Sequence, residues 1–306
     1  MVDPFGHEAL LYHDTTELLA GTTTFLSEGV EADDALLVVT PEPGLSLLRE
    51  KLGRLGERVT FLDMSEVGRN PGRILPGVLM AFAASNADRR VRVVSEAVWK
   101  GRSEAEYPAC VQHEALINSA FAGRRATIRC PYDLSSLDER AVADAERTHP
   151  VLVERNRSRV SAAYDAAAAV AEHDQPLPPP PGGVVAHPFE ARQLAAMRHL
   201  VFQHALDSGL AQNVAEDLVL AVNELTTNSV VHATGGGVLR IWSEDDAVVC
   251  EVRDNGTFGD SPAGRIPPSP SSSFSGYGLM MTNMLCDLVR IHTSPEGTAI
   301  RVHVRR

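Results

Sequence analysis

The sequence has 306 residues, a length that favours two domains, each large enough to bury its own core. It carries 28 basic and 40 acidic residues, for a formal net charge of -12, which argues against direct nucleic-acid binding. No secretory signal is visible at the N-terminus, and the longest apolar runs fall short of the roughly 20 residues that span a bilayer. The four cysteines contain no CxxC pair, so we expect reduced, buried thiols and a cytoplasmic protein without membrane segments.

Short β-branched runs alternate with amphipathic helical segments in the first half of the chain. The strand-like runs are ALLVVT, RVTFLD, VRVVSE and ATIRC, at residues 35–40, 58–63, 91–96 and 126–130. The segments between them carry apolar residues at three- and four-residue spacing. This alternation predicts an α/β domain with a mostly parallel sheet, which we assign to residues 5–172. The Ala-rich residues 158–173 are predicted to be helical.

A proline run follows this domain. The segment DQPLPPPPGG favours polyproline II structure, because proline fixes φ and lacks a backbone donor. It predicts a semi-rigid linker at residues 173–184.

The remaining residues, 185–306, show a different order of elements. Two consecutive helical segments are followed by two strand-like runs, GVLRIWSE and AVVCEVRD, joined by the turn signal EDDA. A Pro-, Ser- and Gly-rich stretch then leads to a short helix, GLMMTNMLC, and to a final strand pair, LVRIHT and GTAIRVHV. This order predicts an α+β domain with helices on one face of a mixed sheet.

Four short motifs of this second domain suggest nucleotide chemistry. They are NELTTNSVVHA, VRDNG, GYGL and GTAIRV, in that order. On a helix, Glu224 and Asn228 share one face because they lie four residues apart. Taken singly, each motif is more typical of a solvated helix face or a tight turn. The residues of interest are Glu224, Asn228, Asp254, Gly256, Gly276, Gly278, Leu279 and Thr298.

Together, the four motifs resemble the N, G1, G2 and G3 boxes of the GHKL ATP-binding fold. The form ELTTNSVVHA is most similar to the anti-sigma-factor serine/threonine kinases of the RsbW type. The resemblance covers residues 187–305 and implies ATP and Mg2+ as cofactors. It also implies a sigma factor, or an anti-anti-sigma protein of the STAS type, as the protein partner.

Each motif residue has a physical role in such a site. The amide oxygen of Asn228 suits Mg2+, a hard ion that prefers oxygen ligands. Glu224 would act as the catalytic base, Asp254 would accept a hydrogen bond from the adenine amino group, and Thr298 would bind near the adenine. Gly256 leaves room for the base, and the segment Gly276, Gly278 and Leu279 precedes helix amides that suit phosphate.

Two alternatives to a serine/threonine kinase remain open. In DNGTFGD the second glycine comes one residue late, and the lid from Pro262 to Ser275 has no basic residue after Arg265. A regulator that binds ATP without transferring phosphate is therefore possible. A histidine kinase fits less well, because neither His113 nor His149 lies in a suitable phosphoacceptor sequence.

The first domain resembles the MEDS sensory domain, also described as DcmR-like, through HEALLYHD, VVSEAVWKGRS, HEALINSAF and CPYD. The resemblance implies a RecA-like α/β fold, and the segment PEPGLSLLRE lacks the GxxxxGK pattern of a P-loop. A small-molecule signal and a homodimer are further expectations. Cys110, His113, His7 and Cys130 are candidate metal or haem ligands, although such residues are more often packed side chains. The candidate sensory pocket comprises His7, Tyr12, Glu96, Trp99, His113, Cys130 and Tyr132.

Overall fold

The structure is a computed structural model that describes residues 4–257, 264–266 and 277–306. The chain divides between His173 and Asp174 into two compact units. Each unit has hydrophobic core clusters of its own.

The N-terminal unit is built on a seven-stranded sheet with the order β3-β2-β4-β5-β1-β6-β7. Every pairing is parallel except that of β6 with β7, which is antiparallel. The strands are β1 Gly6–Tyr12, β2 Ala35–Thr40, β3 Val59–Asp63, β4 Val91–Ser95, β5 Ala126–Asp133, β6 Val151–Glu154 and β7 Arg157–Val160.

Helices connect these strands. The α-helices are α1 Thr15–Glu31, α2 Gly44–Leu52, α3 Met64–Val67, α4 Pro71–Arg73, α5 Ala81–Ser85, α6 Tyr107–Ala120, α7 Glu139–Thr148 and α8 Ala166–Glu172. A π-helical turn, Ile74–Met80, joins α4 to α5. The predicted mostly parallel α/β fold is confirmed.

Two local predictions in this unit were incomplete or wrong. The first strand, β1, was not predicted, although it lies between β5 and β6 near the middle of the sheet. The Ala-rich segment 158–173 is helical only over Ala166–Glu172, and its beginning belongs to β7. All four residues of β7 are exposed, so hydrophobic alternation gave no signal for this edge strand.

The C-terminal unit has a five-stranded sheet with the order β11-β12-β10-β9-β8. Its strands are β8 Ala186–Glu190, β9 Gly236–Ser243, β10 Ala247–Asp254, β11 Leu288–Ser294 and β12 Gly297–Arg305. Each of these pairings is antiparallel, so the predicted mixed sheet is corrected to an antiparallel one. Tight turns join β9 to β10 and β11 to β12, and a tight hairpin can only produce antiparallel neighbours.

In the described part of this unit, the α-helices beside the sheet are α9 Leu194–Asp207, α10 Gln212–His232 and α11 Tyr277–Leu285. Buried residues of α10 such as Leu218 and Leu225 form one core with Leu239, Val252 and Ile300 of the sheet. The sheet residues of this core recur at every second position, so they share one sheet face and the helices cover that face. The predicted α+β layer is confirmed.

The proline-rich segment packs within the C-terminal unit. Leu177 is buried, and the carbonyl of Pro178 accepts a hydrogen bond from Arg301 at 2.6 Å. Asp174 also lies 2.9 Å from Nδ1 of His292. Part of the segment predicted as a linker is thus held against the sheet by its contacts with Arg301 and His292.

Candidate functional site

Helix α10 carries the pair Glu224 and Asn228. Both residues lie inside the continuous helix Gln212–His232 and are partly exposed, whereas their neighbours Leu225 and Ser229 are buried. One helical turn separates the carboxylate from the carboxamide, so they project in the same direction.

The start of helix α11 lies directly against the Glu224 carboxylate. A Cβ atom added at Gly278 would lie 2.5 Å from Oε2 of Glu224, closer than real contacts allow. Glycine is therefore the residue that lets the two helices approach at this point. The first turn of α11 is thus held beside a carboxylate of α10.

Asp254 ends strand β10 and is anchored by two hydrogen bonds. The hydroxyl of Ser229 donates to Oδ2 at 2.5 Å, and the amide of Gly256 donates to Oδ1 at 2.8 Å. An ionised carboxylate has about four acceptor positions, so two remain for a ligand. The side chain is thus oriented without being saturated.

Thr298 and Gly256 complete this arrangement. Thr298 is paired with Asp254 in the β10–β12 register, and its hydroxyl donates to the Gly256 carbonyl at 2.7 Å. Gly297, with φ of 135°, precedes it, and a Cβ there would lie 2.1 Å from the Asp254 carbonyl oxygen. Asp254, Gly256 and Thr298 therefore form one hydrogen-bonded unit.

Ser229 connects this unit to α10, and sequence reasoning did not single it out. It follows Asn228 directly and lies five residues after Glu224, which is about 7.5 Å along a helix axis. On α10, Glu224 thus lies against Gly278, and Ser229 contacts Asp254. The only signal in the sequence was a small hydroxyl residue inside NELTTNSVVHA.

The remaining predicted residues of this motif set have different settings. Gly276 lies outside the described residues. Leu279 is 3% exposed and belongs to the hydrophobic core, so it packs α11 against that core. Asn283 of the same helix is buried and donates to the carbonyls of Gly264 and Leu279, both at 3.1 Å.

A cleft of about 730 Å³ opens at the strand ends of this unit. Asp254 and Thr298 line it together with Val238, Arg253 and Ala299, and the last three alternate with the core residues of their strands. Part of the cleft therefore extends along the sheet face away from α10. Glu224, Asn228 and Gly278 are not among its lining residues, so we assign the candidate nucleotide site to the helix side.

In the N-terminal unit, polar side chains gather at the carboxyl edge of the parallel sheet, where such sheets commonly bind ligands. Tyr12, Glu96 and Asp133 follow or end strands β1, β4 and β5. Burial raises the pKa of Glu96 to about 8, and the negative charge of Asp133 adds to this effect. Burial also raises the pKa of Tyr12, with further contributions from Glu96 and Asp133.

Trp99 lies on the segment after β4, under the guanidinium of Arg102, whose Cζ is 3.8 Å from the ring centroid. Arg102 also donates to the carbonyls of Gly68 at 2.7 Å and Ala97 at 3.1 Å. The predicted sensory residues Tyr12, Glu96 and Trp99 are therefore associated with the carboxyl edge of the sheet and its following loop.

Two other predicted sensory residues, His7 and Cys130, form a buried polar cluster with Glu114 and His149. One ligand atom from each residue lies within 4.8 Å of every other. The distance from Oε2 of Glu114 is 3.5 Å to Nε2 of His7 and 3.4 Å to Nε2 of His149. The Cys130 sulfur lies 3.5 Å from Nε2 of His7. Tyr132 packs edge-on against His149, with ring centroids 5.5 Å apart.

This cluster differs from the ligand set suggested by the sequence. His7 and Cys130 belong to it, but Cys110 and His113 do not, and Glu114 and His149 take their places. His113 precedes Glu114 on α6, and adjacent helical residues point about 100° apart. His149 was missed because it comes from the end of α7, which is distant in sequence from β1.

Burial dominates the electrostatics of the cluster. It lowers the pKa of His7 to about 4, and the neighbouring His149 adds to this effect. Burial would raise the pKa of Glu114, but interactions with His149 and His7 more than offset it and hold this pKa below its usual range. Burial also raises the pKa of the Cys130 thiol, reinforced by Glu114.

Comparison with known families assigns a class to each unit. Residues 187–304 match the histidine kinase-like ATPase domain, which agrees with the antiparallel sheet, its helical layer and the Asp254 unit. Residues 6–150 match the MEDS family, the methanogen/methylotroph DcmR sensory domain. The first part of the chain is therefore similar to the MEDS sensory domain, and the second part is similar to the histidine kinase-like ATPase domain. Both family resemblances noted in the sequence are confirmed.

Solved structures were compared as well. The RsbU and RsbW domains of Rv1364c from Mycobacterium tuberculosis are similar at 21% identity and a TM-score of 0.31, over 41% of this chain and 33% of that one. This chain therefore spans about a third of that structure's length. The histidine kinase AdeS from Acinetobacter baumannii is similar at 9% identity and a TM-score of 0.25, over 40% of this chain and 68% of that one. No curated protein matches the sequence.

Within the part of the chain that the structure describes, every helix is too short or too polar to cross a membrane.

Proposed function

We propose that this protein is an ATP- and Mg2+-dependent serine/threonine kinase of the anti-sigma type. It phosphorylates an anti-anti-sigma partner of the STAS type, sequesters a sigma factor, or does both. The MEDS domain controls this activity in response to a small-molecule signal, for which the carboxyl edge of its sheet provides polar side chains. The proposal rests on the motif resemblance and on the residues that α10 presents.

One observation carries the kinase proposal: the Glu224 carboxylate stands beside the first turn of α11, one helical turn from Asn228. In this setting Glu224 takes the proton from a serine or threonine hydroxyl of the partner, as a general base does. The partly exposed position of Glu224 leaves the carboxylate accessible to such a hydroxyl.

The residues present fit a nucleotide with its metal ion. Asp254 has acceptor positions left for the adenine amino group, and Thr298 and Gly256 hold the adjacent strand end in place. The amide oxygen of Asn228 would ligate Mg2+, and the amides of α11 would face phosphate. When bound, Mg-ATP supplies the transferable phosphoryl group and a cation that neutralises its developing charge.

A phosphorylation assay tests the kinase proposal. Purified full-length protein is incubated with labelled ATP, Mg2+ and a STAS protein encoded beside it. We expect phosphoserine or phosphothreonine on the STAS protein, and a rate at least about 100-fold lower for Glu224→Gln because the general base is lost. Glu216→Gln is the matched control, since Glu216 is an exposed residue of the same helix. An inactive wild type, or an unaffected Glu224→Gln variant, contradicts the kinase proposal.

A second candidate function is nucleotide-gated binding without phosphate transfer. It is favoured by the lid, where Arg265 is the one basic residue between Thr257 and Gly276, and its side chain is 6% exposed. A buried arginine is poorly placed to reach a γ-phosphate. ATP binding that alters sigma-factor capture, together with a silent phosphorylation assay, selects this second function.

A further inference from the structure

We propose that His7, Glu114, Cys130 and His149 bind one divalent transition-metal ion, best matched by Zn2+, inside the MEDS domain. The proposal concerns the N-terminal unit alone and does not depend on the nucleotide chemistry of the other unit. Four elements supply the ligands: β1, α6, β5 and the residue that follows α7.

The hydrogen bonds around His7 determine which of its ring nitrogens carries the proton. Asn118 donates through Nδ2 to the carbonyls of Thr148 at 2.8 Å and Ala115 at 3.1 Å, and carbonyls can only accept. Its Oδ1 therefore points to Nδ1 of His7, 3.1 Å away, and accepts a hydrogen bond from it. In the neutral ring, Nε2 of His7 then directs a lone pair into the cluster.

His149 is oriented in the same way. Its Nδ1 lies 2.9 Å from the Ala145 carbonyl oxygen, so this nitrogen is the donor and Nε2 holds the lone pair. Nε2 of His149 and both carboxylate oxygens of Glu114 are buried and make no hydrogen bond. Lone pairs of two imidazoles and a carboxylate thus converge on one point, a setting that a bound cation satisfies.

The distances favour a metal ion over a proton as that cation. A charge-assisted hydrogen bond between an imidazolium and a carboxylate measures about 2.7–2.9 Å. The two contacts of Glu114 measure 3.4 and 3.5 Å, and the Cys130 to His7 contact measures 3.5 Å. With bonds of about 2.0–2.3 Å, neighbouring ligand atoms of a tetrahedral zinc site lie about 3.3–3.8 Å apart.

Charge and ligand type agree with this assignment. One thiolate and one carboxylate balance the charge of a divalent cation, so the fully buried site would be neutral overall. Metal binding would replace the proton of the Cys130 thiol, which is released to solvent. The mixture of sulfur, imidazole and carboxylate ligands suits zinc better than Mg2+ or Ca2+. Four atoms this close enclose one ion and leave no room for a haem.

The surrounding contacts hold the ligands in position, as outer-shell groups of metal sites do. Asn118 fixes His7, and the Ala145 carbonyl fixes His149. The two imidazole rings lie against each other with centroids 4.1 Å apart. All four ligand residues are buried, so water is excluded as a competing ligand.

Cobalt substitution provides the experiment. The full-length protein is produced in medium with Zn2+ or with Co2+, and the bound metal is counted by mass spectrometry. We expect one ion per chain and, with cobalt, the strong visible bands of a tetrahedral ion together with a thiolate-to-cobalt charge-transfer band. Wild-type protein that binds no stoichiometric metal, or whose cobalt spectrum lacks the thiolate band, overturns the proposal.

Variants identify the ligands. Cys130→Ser should abolish the thiolate band, and Glu114→Gln and His149→Ala should weaken metal affinity by more than about 100-fold, beyond the loss typical of an outer-shell change. Cys110→Ser and His113→Gln are matched controls on α6 and should keep both metal and spectrum. Circular dichroism checks that each variant folds. A thiolate band that persists in Cys130→Ser or vanishes in Cys110→Ser contradicts the assigned ligand set, and wild-type protein decides the question where a variant does not fold.

Discussion

Asp254 illustrates what one residue needs from distant parts of the chain. Its sequence context, VRDNG, predicted a strand end with a carboxylate, and the structure has that arrangement. The hydroxyl that orients the carboxylate belongs to Ser229, 25 residues earlier, and was not predicted. Motif order indicates which residues belong to a site, whereas partners from separate elements depend on packing that no local pattern records. The pairing of Glu114 with His149 has the same origin.

Glu96 gives a prediction of pH dependence at the residue scale. Burial raises the pKa of Glu96 from its ordinary value of 4.5 to about 8 in the folded protein, so the folded state retains a proton that the unfolded state releases between these pH values. Stability contributed by neutral Glu96 is therefore full below pH 4.5 and is lost as pH rises towards 8. The side chain at this position in the Glu96→Gln variant cannot titrate. From pH 5 to pH 8, the free energy of unfolding of this variant should therefore rise relative to that of the wild type by on the order of 3 kcal/mol.

Urea unfolding at both pH values, followed through Trp99 in a Trp242→Phe background, measures this difference. Glu50→Gln is the control, because Glu50 is exposed on α2 and should show the same difference from wild type at both pH values. An equal stability difference for Glu96→Gln at pH 5 and pH 8 would contradict the raised pKa.

At the scale of elements, periodicity predicted the long segments well and the short or exposed ones poorly. Apolar spacing predicted helices α9, α10 and α11 and strands β9 to β12. The edge strands β7 and β8 were missed, because their residues are largely exposed and carry little alternation. The mixed strand direction predicted for the second sheet was also wrong, because its hairpin turns make neighbouring strands antiparallel.

The contact between α10 and α11 gives a prediction for Gly278. In Gly278→Ala the new methyl group would lie 2.5 Å from Oε2 of Glu224, so the carboxylate or the helix must move. Misplacement of a catalytic group by about 1 Å can cost about 100-fold in rate, and we expect a loss of that size in phosphate transfer. The phosphorylation assay measures it.

Gly182→Ala is the control for this variant, since a Cβ at Gly182 meets nothing within 4 Å. Retention of wild-type transfer by Gly278→Ala would mean that the position of the Glu224 carboxylate does not matter for the reaction.

On the scale of the whole molecule, the chain has two units with core clusters that share no residues. Each unit also holds one of the two tryptophans, Trp99 and Trp242. We therefore expect two unfolding transitions, each visible through one tryptophan when the other is replaced by phenylalanine. Leu218→Ala should lower the stability seen through Trp242 by about 2–5 kcal/mol and leave the Trp99 transition unchanged.

Mg-ATP should raise the stability seen through Trp242, the transition that Leu218→Ala weakens. At a hundred times its Kd, a ligand that binds only the folded state adds about 2.7 kcal/mol of stability. A single transition shared by both probes would contradict separate unfolding of the two units. Stabilisation by Mg-ATP that appears through Trp99 alone would contradict the assignment of the nucleotide site to the C-terminal unit.

Binding of Mg-ATP to the C-terminal unit through Asp254 can be measured by calorimetric titration of the full-length protein with ATP. We expect saturable binding that strengthens with Mg2+ and weakens by at least about 10-fold in Asp254→Asn, the loss expected for a hydrogen bond to a charged group. Asp245→Asn, an exposed residue of the β9–β10 turn, should bind as the wild type does. Wild-type protein that fails to bind ATP, or an Asp254→Asn variant of unchanged affinity, would contradict the account.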